Sequence, residues 1–169
     1  PNCYGFINSL DGVALWPDVH GCEVIKKGVA IITQSGNIGL NMTMQSVGLP
    51  IAYMFTLGNQ TNTNISDIIH SMLDDDRVNA IGLHVEGIND IEMFDDAARR
   101  ALRKKIPIVA IKSGRTVSSA QIALTHTSSL TGSDQLYSVF LERLGIARVD
   151  TVPEFLETLK LLSIFGPIN

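Results

Sequence analysis

His126 stands in the run Thr125-His126-Thr127-Ser128-Ser129-Leu130-Thr131-Gly132, among hydroxyls and with no acidic residue nearer than Asp134. Hydrogen-bonding groups without a permanent negative charge suit an anion. A histidine with one ring nitrogen fixed by an acceptor keeps the other free to attack or bind, and its unperturbed pKa lies near neutrality. His126 is therefore a candidate nucleophile or phosphoryl carrier. The alternative is an ordinary polar loop histidine followed by a Ser/Thr helix cap.

Two further groups belong to the same chemistry. In Gln34-Ser35-Gly36-Asn37-Ile38-Gly39 an apolar run turns into a helix. Gly36 permits close approach there, and the unpaired N–H groups of a helix's first turn can hold phosphate or carboxylate. An ordinary Ser or Asn cap is the competing reading. The run is neither a dinucleotide fingerprint nor a Walker A loop. Glu86 closes the apolar run Leu83-His84-Val85. A carboxylate at that point can accept the ring N–H of His126, fix its tautomer and offset the charge that grows on phosphorylation. Otherwise Glu86 is a solvated strand end. His84 reads as a polar core residue and His70 as solvent-facing. Asp74, Asp75 and Asp76 read as a solvated corner, and no metal site is expected.

These residues need a scaffold that brings them together. GVAIIT, IAYMFT, VNAIGLHV, IPIVAI and IARV read as strands. Between them lie helical stretches: Asn37 to about Val47, NISDIIHSMLDDD, DIEMFDDAARRALRKK, DQLYSVFLERLG and PEFLETLKLLSIF. Ile65, Ile68, Ile69, Met72 and Leu73 line one face of the second helix, Gly145 closes the fourth, and Pro153 suits the first turn of the last. Alternation at this spacing predicts an α/β fold, a doubly wound parallel sheet of about five strands covered on both faces. The loops after the strands then share one rim, where such sheets bind ligands. Those loops are Thr33–Gly39, Leu57–Asn64, Glu86–Asn89 and Lys112–Gly132. Residues 1–27 show no sustained period and are expected to hold one short strand in a lead-in segment before a domain at 28–169.

Composition narrows the function classes. The 169 residues are 45% apolar with a formal charge of −4, which suits one folded domain. The 13 Lys and Arg residues form no strip that could follow a phosphate backbone, so nucleic acid is not an expected partner. No stretch approaches a membrane span. Cys3 and Cys22 lack metal-ligand spacing and read as free thiols in a reducing, cytoplasmic setting. Asn41, Asn59 and Asn64 begin N-x-S/T patterns, which matter only in a secreted chain. The first and last residues, PNCYGFIN and LLSIFGPIN, read as cuts from a longer multidomain enzyme.

Together GVAIITQSGNIG, FTLGNQTNTNISDIIHSMLDDDRVNAIGLHVEGI, PIVAIKSGR and THTSSLTG resemble the phosphohistidine-bearing, succinyl-CoA-ligase-like domain of the NDP-forming acyl-CoA synthetases. The likeness covers essentially the whole chain, and PNCYGFIN resembles the junction after that family's CoA-binding domain. The resemblance implies a flavodoxin-like, three-layer αβα fold and an acid–CoA ligase activity. It also implies that His126 carries a phosphoryl group between nucleotide and acyl phosphate, with Glu86 as its partner carboxylate. Ser35, Gly36, Asn37, Thr127 and Ser128 would then bind the phosphate. CoA and ATP or another NTP with Mg would serve the full enzyme, none held tightly by these 169 residues, which would be inactive alone. The implied partners are a CoA-binding Rossmann domain and an ATP-grasp domain, in the same chain or in a partner subunit, and a homodimer stays open. Two departures stand out. Thr125, Ser128, Ser129 and Thr131 replace small residues of a typical SHTGALAG, and Thr61, Asn62, Thr63 and Asn64 stand where acidic residues are usual. Acid specificity is thereby left open. A non-catalytic assembly or ligand-sensing module is the rival reading; a flavin carrier would need loop and stacking residues that are missing here.

Overall fold

A computed structural model describes residues 3–113 and 134–167. Its strands are β1 (Phe6–Asn8), β2 (Val13–Leu15), β3 (Gly28–Thr33), β4 (Ile51–Thr56), β5 (Val78–Val85), β6 (Ile108–Lys112) and β7 (Ala147–Val149). The described helices are α1 (Gly36–Thr43), α2 (Ile65–Met72), α3 (Ile91–Arg103), α4 (Asp134–Arg143) and α5 (Val152–Phe165). The sheet order is β2-β1-β4-β3-β5-β6-β7.

Five of these strands, β4-β3-β5-β6-β7, are parallel and match the five expected. β1 and β2 differ from expectation. The lead-in segment forms an antiparallel hairpin, and β1 pairs with β4 and extends the sheet to seven strands. Each is three residues long and β2 is exposed throughout, so neither leaves a periodic apolar signature. Arg77 ties the hairpin down by pairing with Asp11 at its turn and with Asp75, which also accepts from Tyr53 Oη at 2.8 Å.

Two cores, one on each face, make the three layers. Ala30, Ile32, Ile81, Leu83 and Ala110 pack under Ile65 and Ile69 of α2, Phe94 of α3 and Leu141 of α4. Val29, Ile31, Ala80 and Val109 pack under Met42 of α1 and Phe155, Leu156 and Leu159 of α5. Alternate residues of each strand thus face opposite layers, as buried parallel strands require.

Caps define the helices as the composition suggests. Asn64 and Thr151 form capping boxes with Asp67 and Glu154, and Pro153 lies in the first turn of α5. Helix α1 ends at Thr43, four residues before the expected Val47. The Met44 N–H closes the last turn on Leu40 and Asn41 carbonyls, the Gln45 side chain caps Asn41, and the chain then turns through Gly48 at φ +71°. His70 is half-buried against α3 rather than solvent-facing, with Asp96 3.5 Å from Nε2 and Arg100 beside Nδ1. Asp74 is paired with Arg100 and Lys104, and Asp75 with Arg77. Among the described residues no cluster of three or more His, Cys, Asp or Glu is placed to hold a metal, and none of their helices is long and apolar enough to cross a membrane.

Candidate functional site

The order of the parallel strands reverses at β3, which lies between β4 and β5, and open α/β sheets bind ligands at such a switch point. Thr33 and His84 are register partners there, so the chain beyond β3 and the chain beyond β5 leave the sheet side by side. The Ser35–Asn37 turn follows one strand and Glu86 the other. Both groups picked out by their residue types therefore share one rim, with Lys112 at the end of the next strand.

Helix α1 starts with Ser35 in an extended conformation, its hydroxyl accepting from Ile38 N–H at 3.4 Å. The N–H groups of Gly36 and Asn37 lie in the first turn, where no intrahelical carbonyl can serve them. Gly39 sets how close α1 lies, since a Cβ there would be 3.0 Å from the methyls of Thr33 and Thr56. At Gly36 the close approach belongs to protein: a Cβ would meet the Tyr4 ring at 3.2 Å, and Tyr4 Oη donates to Asn37 Oδ1. Tyr4 in turn packs edge-on against Trp16, with ring centroids 5.2 Å apart. The lead-in segment thus walls one side of the helix start.

Glu86 is half-buried on a rigidly held turn. Gln34 Oε1 accepts from the main-chain N–H groups of Glu86 and Gly87, the second at 3.0 Å. Gln60 Nε2 donates to Gly87 O at 3.1 Å while its Oε1 accepts from Ile65 N–H at 3.0 Å. These bonds hold Gln60 at φ +56°, a region that non-glycine residues seldom occupy. Tyr137 Oη of α4 accepts from Ile88 N–H at 3.2 Å. Three of the four predicted rim loops are therefore cross-linked around Glu86.

Lys112 brings positive charge to this rim. It is only 5% exposed, donates to Ser113 O, and its Nζ lies 4.9 Å from the Tyr137 ring centre. Burial pushes the Lys112 ammonium below its ordinary range, with Arg148 in the same direction, while Asp134 and Glu86 oppose. His84 is buried as expected, its Nδ1 3.0 Å from Thr33 Oγ1 and its Nε2 2.7 Å from Ser113 Oγ. Burial and then the charge of Lys112 hold its imidazole down to about 4. His126, Thr127 and Ser128 lie outside the described residues.

Residues 26–162 match the family described as the succinyl-CoA ligase like flavodoxin domain. The chain belongs to this family. It is 34% identical over 167 residues to the ADP-forming acetate–CoA ligase of Methanocaldococcus jannaschii, covering 96% of this chain and 23% of that protein. It is 31% identical over 159 residues to the alpha subunit of ADP-forming acetate–CoA ligase II of Pyrococcus furiosus, covering 92% and 34%. A solved structure of the dinucleotide forming acetyl-coenzyme A synthetase 1 of Ca. Korarchaeum cryptofilum, in complex with phosphate and ADP, matches with a TM-score of 0.82 at 29% identity, covering 99% of this chain and 36% of that one. The chain spans about a quarter to a third of the length of these relatives.

Within this succinyl-CoA-ligase-like domain, five residues that shape the rim carry no role expected from the sequence: Tyr4, Gln34, Gln60, Lys112 and Tyr137. Lys112 closes the apolar run IPIVAI, a place where a lysine is ordinarily solvated, so its burial shows only in the structure. Asn64, in the loop after β4, caps α2.

Proposed function

We propose that this chain is the phosphoryl-carrying domain of an NDP-forming acyl-CoA synthetase, with His126 as the carrier and Glu86 as its orienting carboxylate. The observation that carries this reading is the joining of the Glu86 turn to the end of β3 through Gln34, beside the N–H groups that open α1. A free imidazole nitrogen of His126 attacks the γ-phosphorus of the nucleotide and the bond to the leaving NDP breaks. The carboxylate of the acid then attacks the same phosphorus, the P–N bond breaks, and an acyl phosphate forms. The CoA sulfur takes the acyl group and phosphate leaves.

The residues of this domain bind and orient in that sequence. Glu86 accepts the second ring N–H of His126 and offsets the imidazolium charge during transfer. The Gly36 and Asn37 N–H groups, with Thr127 and Ser128, hold phosphoryl oxygens, and Lys112 supplies charge compensation from below the rim. The donors at this helix start fit an anion. CoA and the nucleotide with its Mg are assigned to a CoA-binding Rossmann domain and an ATP-grasp domain, and the setting is cytoplasmic. Acetate is the first acid to try, because the relatives above are acetate–CoA ligases.

Acyl-CoA formation by these 169 residues, alone and with the complementary domains, tests the assignment. No turnover alone and turnover on combination is the expected result. Robust turnover by the isolated chain would contradict it, as would inactivity of the combination with every short-chain acid.

A further inference from the structure

Three strand ends meet at one imidazole. His84 lies opposite Thr33 of β3 and Ile111 of β6 in register, and it is 1% exposed. Thr33 Oγ1 accepts from Ser35 N–H at 3.0 Å and lies 3.1 Å from Ser35 O and 3.0 Å from His84 Nδ1, with one hydroxyl proton to give. All three Thr33 contacts are hydrogen bonds at once only if that proton goes to Ser35 O and His84 Nδ1 donates to Thr33. Nε2 is then the acceptor and takes the Ser113 hydroxyl proton across 2.7 Å. In that arrangement the chain of bonds runs one way, from Ser113 through His84 and Thr33 to Ser35. Ser113 Oγ is left as an acceptor at the end of β6.

We infer that His84 is a positioning residue for the phosphoryl-transfer site, locking the Ser35–Asn37 start of α1 to Ser113 through its Nδ1–H tautomer. The inference rests on the reading of that helix start as the phosphoryl cradle. Any buried imidazole needs a partner for each ring nitrogen, but here one partner, Thr33, is itself bonded to both main-chain groups of Ser35, and the other, Ser113, follows the end of β6. Protonation would make both ring nitrogens donors and place a second cation near Lys112, and burial opposes it.

Nitrogen NMR of the labelled 169-residue chain reads the tautomer directly. At neutral pH the expected His84 signals are a protonated Nδ1 and an unprotonated Nε2; the reverse tautomer or an imidazolium would overturn the inference. A kinetic arm uses His84→Asn, which can keep the Thr33 bond, His84→Gln, which can keep the Ser113 bond, and His84→Leu, which keeps neither. In the reconstituted ligase, His126 phosphorylation should fall about ten-fold in the Leu variant and by less in the other two, since each lost bond is a small factor. The Asn and Gln variants answer alone if the Leu variant does not fold. Folded variants that all phosphorylate at the parental rate would leave His84 a packing residue, although the parent still labels His126. A parent without label at His126 would instead remove the cradle reading and this role together.

Discussion

Gln34 Oε1 receives the main-chain N–H groups of both Glu86 and Gly87, so the residue after β3 fixes the turn after β5. Gln34→Leu leaves two N–H groups without their acceptor, at about 1–3 kcal/mol for each one that stays buried. Thermal melting should show that loss, and His126 phosphorylation should slow by more than in a surface variant of equal stability. Equal rates would mean that the placement of Glu86 does not matter.

For Glu86 itself the phosphorylation rate should drop by roughly 10²–10⁴-fold in Glu86→Ala, the range of a lost acid–base or orienting group. Glu86→Gln, which keeps shape and one acceptor without the charge, should fall between. Rapid-quench sampling of the three forms checks this order, and indistinguishable rates would make Glu86 a strand end of no catalytic consequence.

At the helix start, Gly36→Val drives a branched side chain into the Tyr4 ring, 3.2 Å from where its Cβ would lie. Phosphorylation should suffer, and Gly36→Val combined with Tyr4→Ala should recover part of the rate by freeing that space. A double variant no better than the single one would show that the wall made by Tyr4 is not the cause.

Acid should weaken the fold in a window set by His84. Its folded pKa of about 4 lies below the ordinary 6.5, so above pH 6.5 both states are neutral and the full stability is present. Between 6.5 and 4 the unfolded chain takes up a proton that the native chain refuses, and stability falls by on the order of 3 kcal/mol. Asp75 acts lower, since Arg77 holds its carboxyl down to about 2. Denaturant midpoints across this range should therefore decline in the parent and stay flatter in His84→Gln.

A fold control separates packing from chemistry. A Cβ at Gly82 would lie 2.5 Å from Phe155 Cζ and 2.6 Å from Leu159 Cδ1, so Gly82→Ala should cost about 1–3 kcal/mol by overpacking. Calorimetry should show a lowered melting point, with phosphorylation at low temperature near the parental rate.

The parallel sheet was legible because its strands are buried on both faces and read as continuous apolar runs separated by amphipathic helices. The rim positions of Ser35 and Glu86 followed from that alternation. What positions Glu86 was not legible, because Gln34, Gln60 and Tyr137 reach its turn across 52, 27 and 49 residues of sequence. No local pattern carries such separations. Residues 1–27 suggested one short strand rather than the hairpin of Phe6–Asn8 and Val13–Leu15, because each strand is too short to show a period.

Mapping the phosphoryl group tests the central claim most directly. The reconstituted ligase is incubated with nucleotide labelled in its γ-phosphate, quenched in base to preserve phosphohistidine, and digested for peptide mapping. Acid-labile label on the peptide containing His126, absent from His126→Ala, is the predicted result. Full labelling of His126→Ala, or label confined to another residue of this chain, would contradict the account.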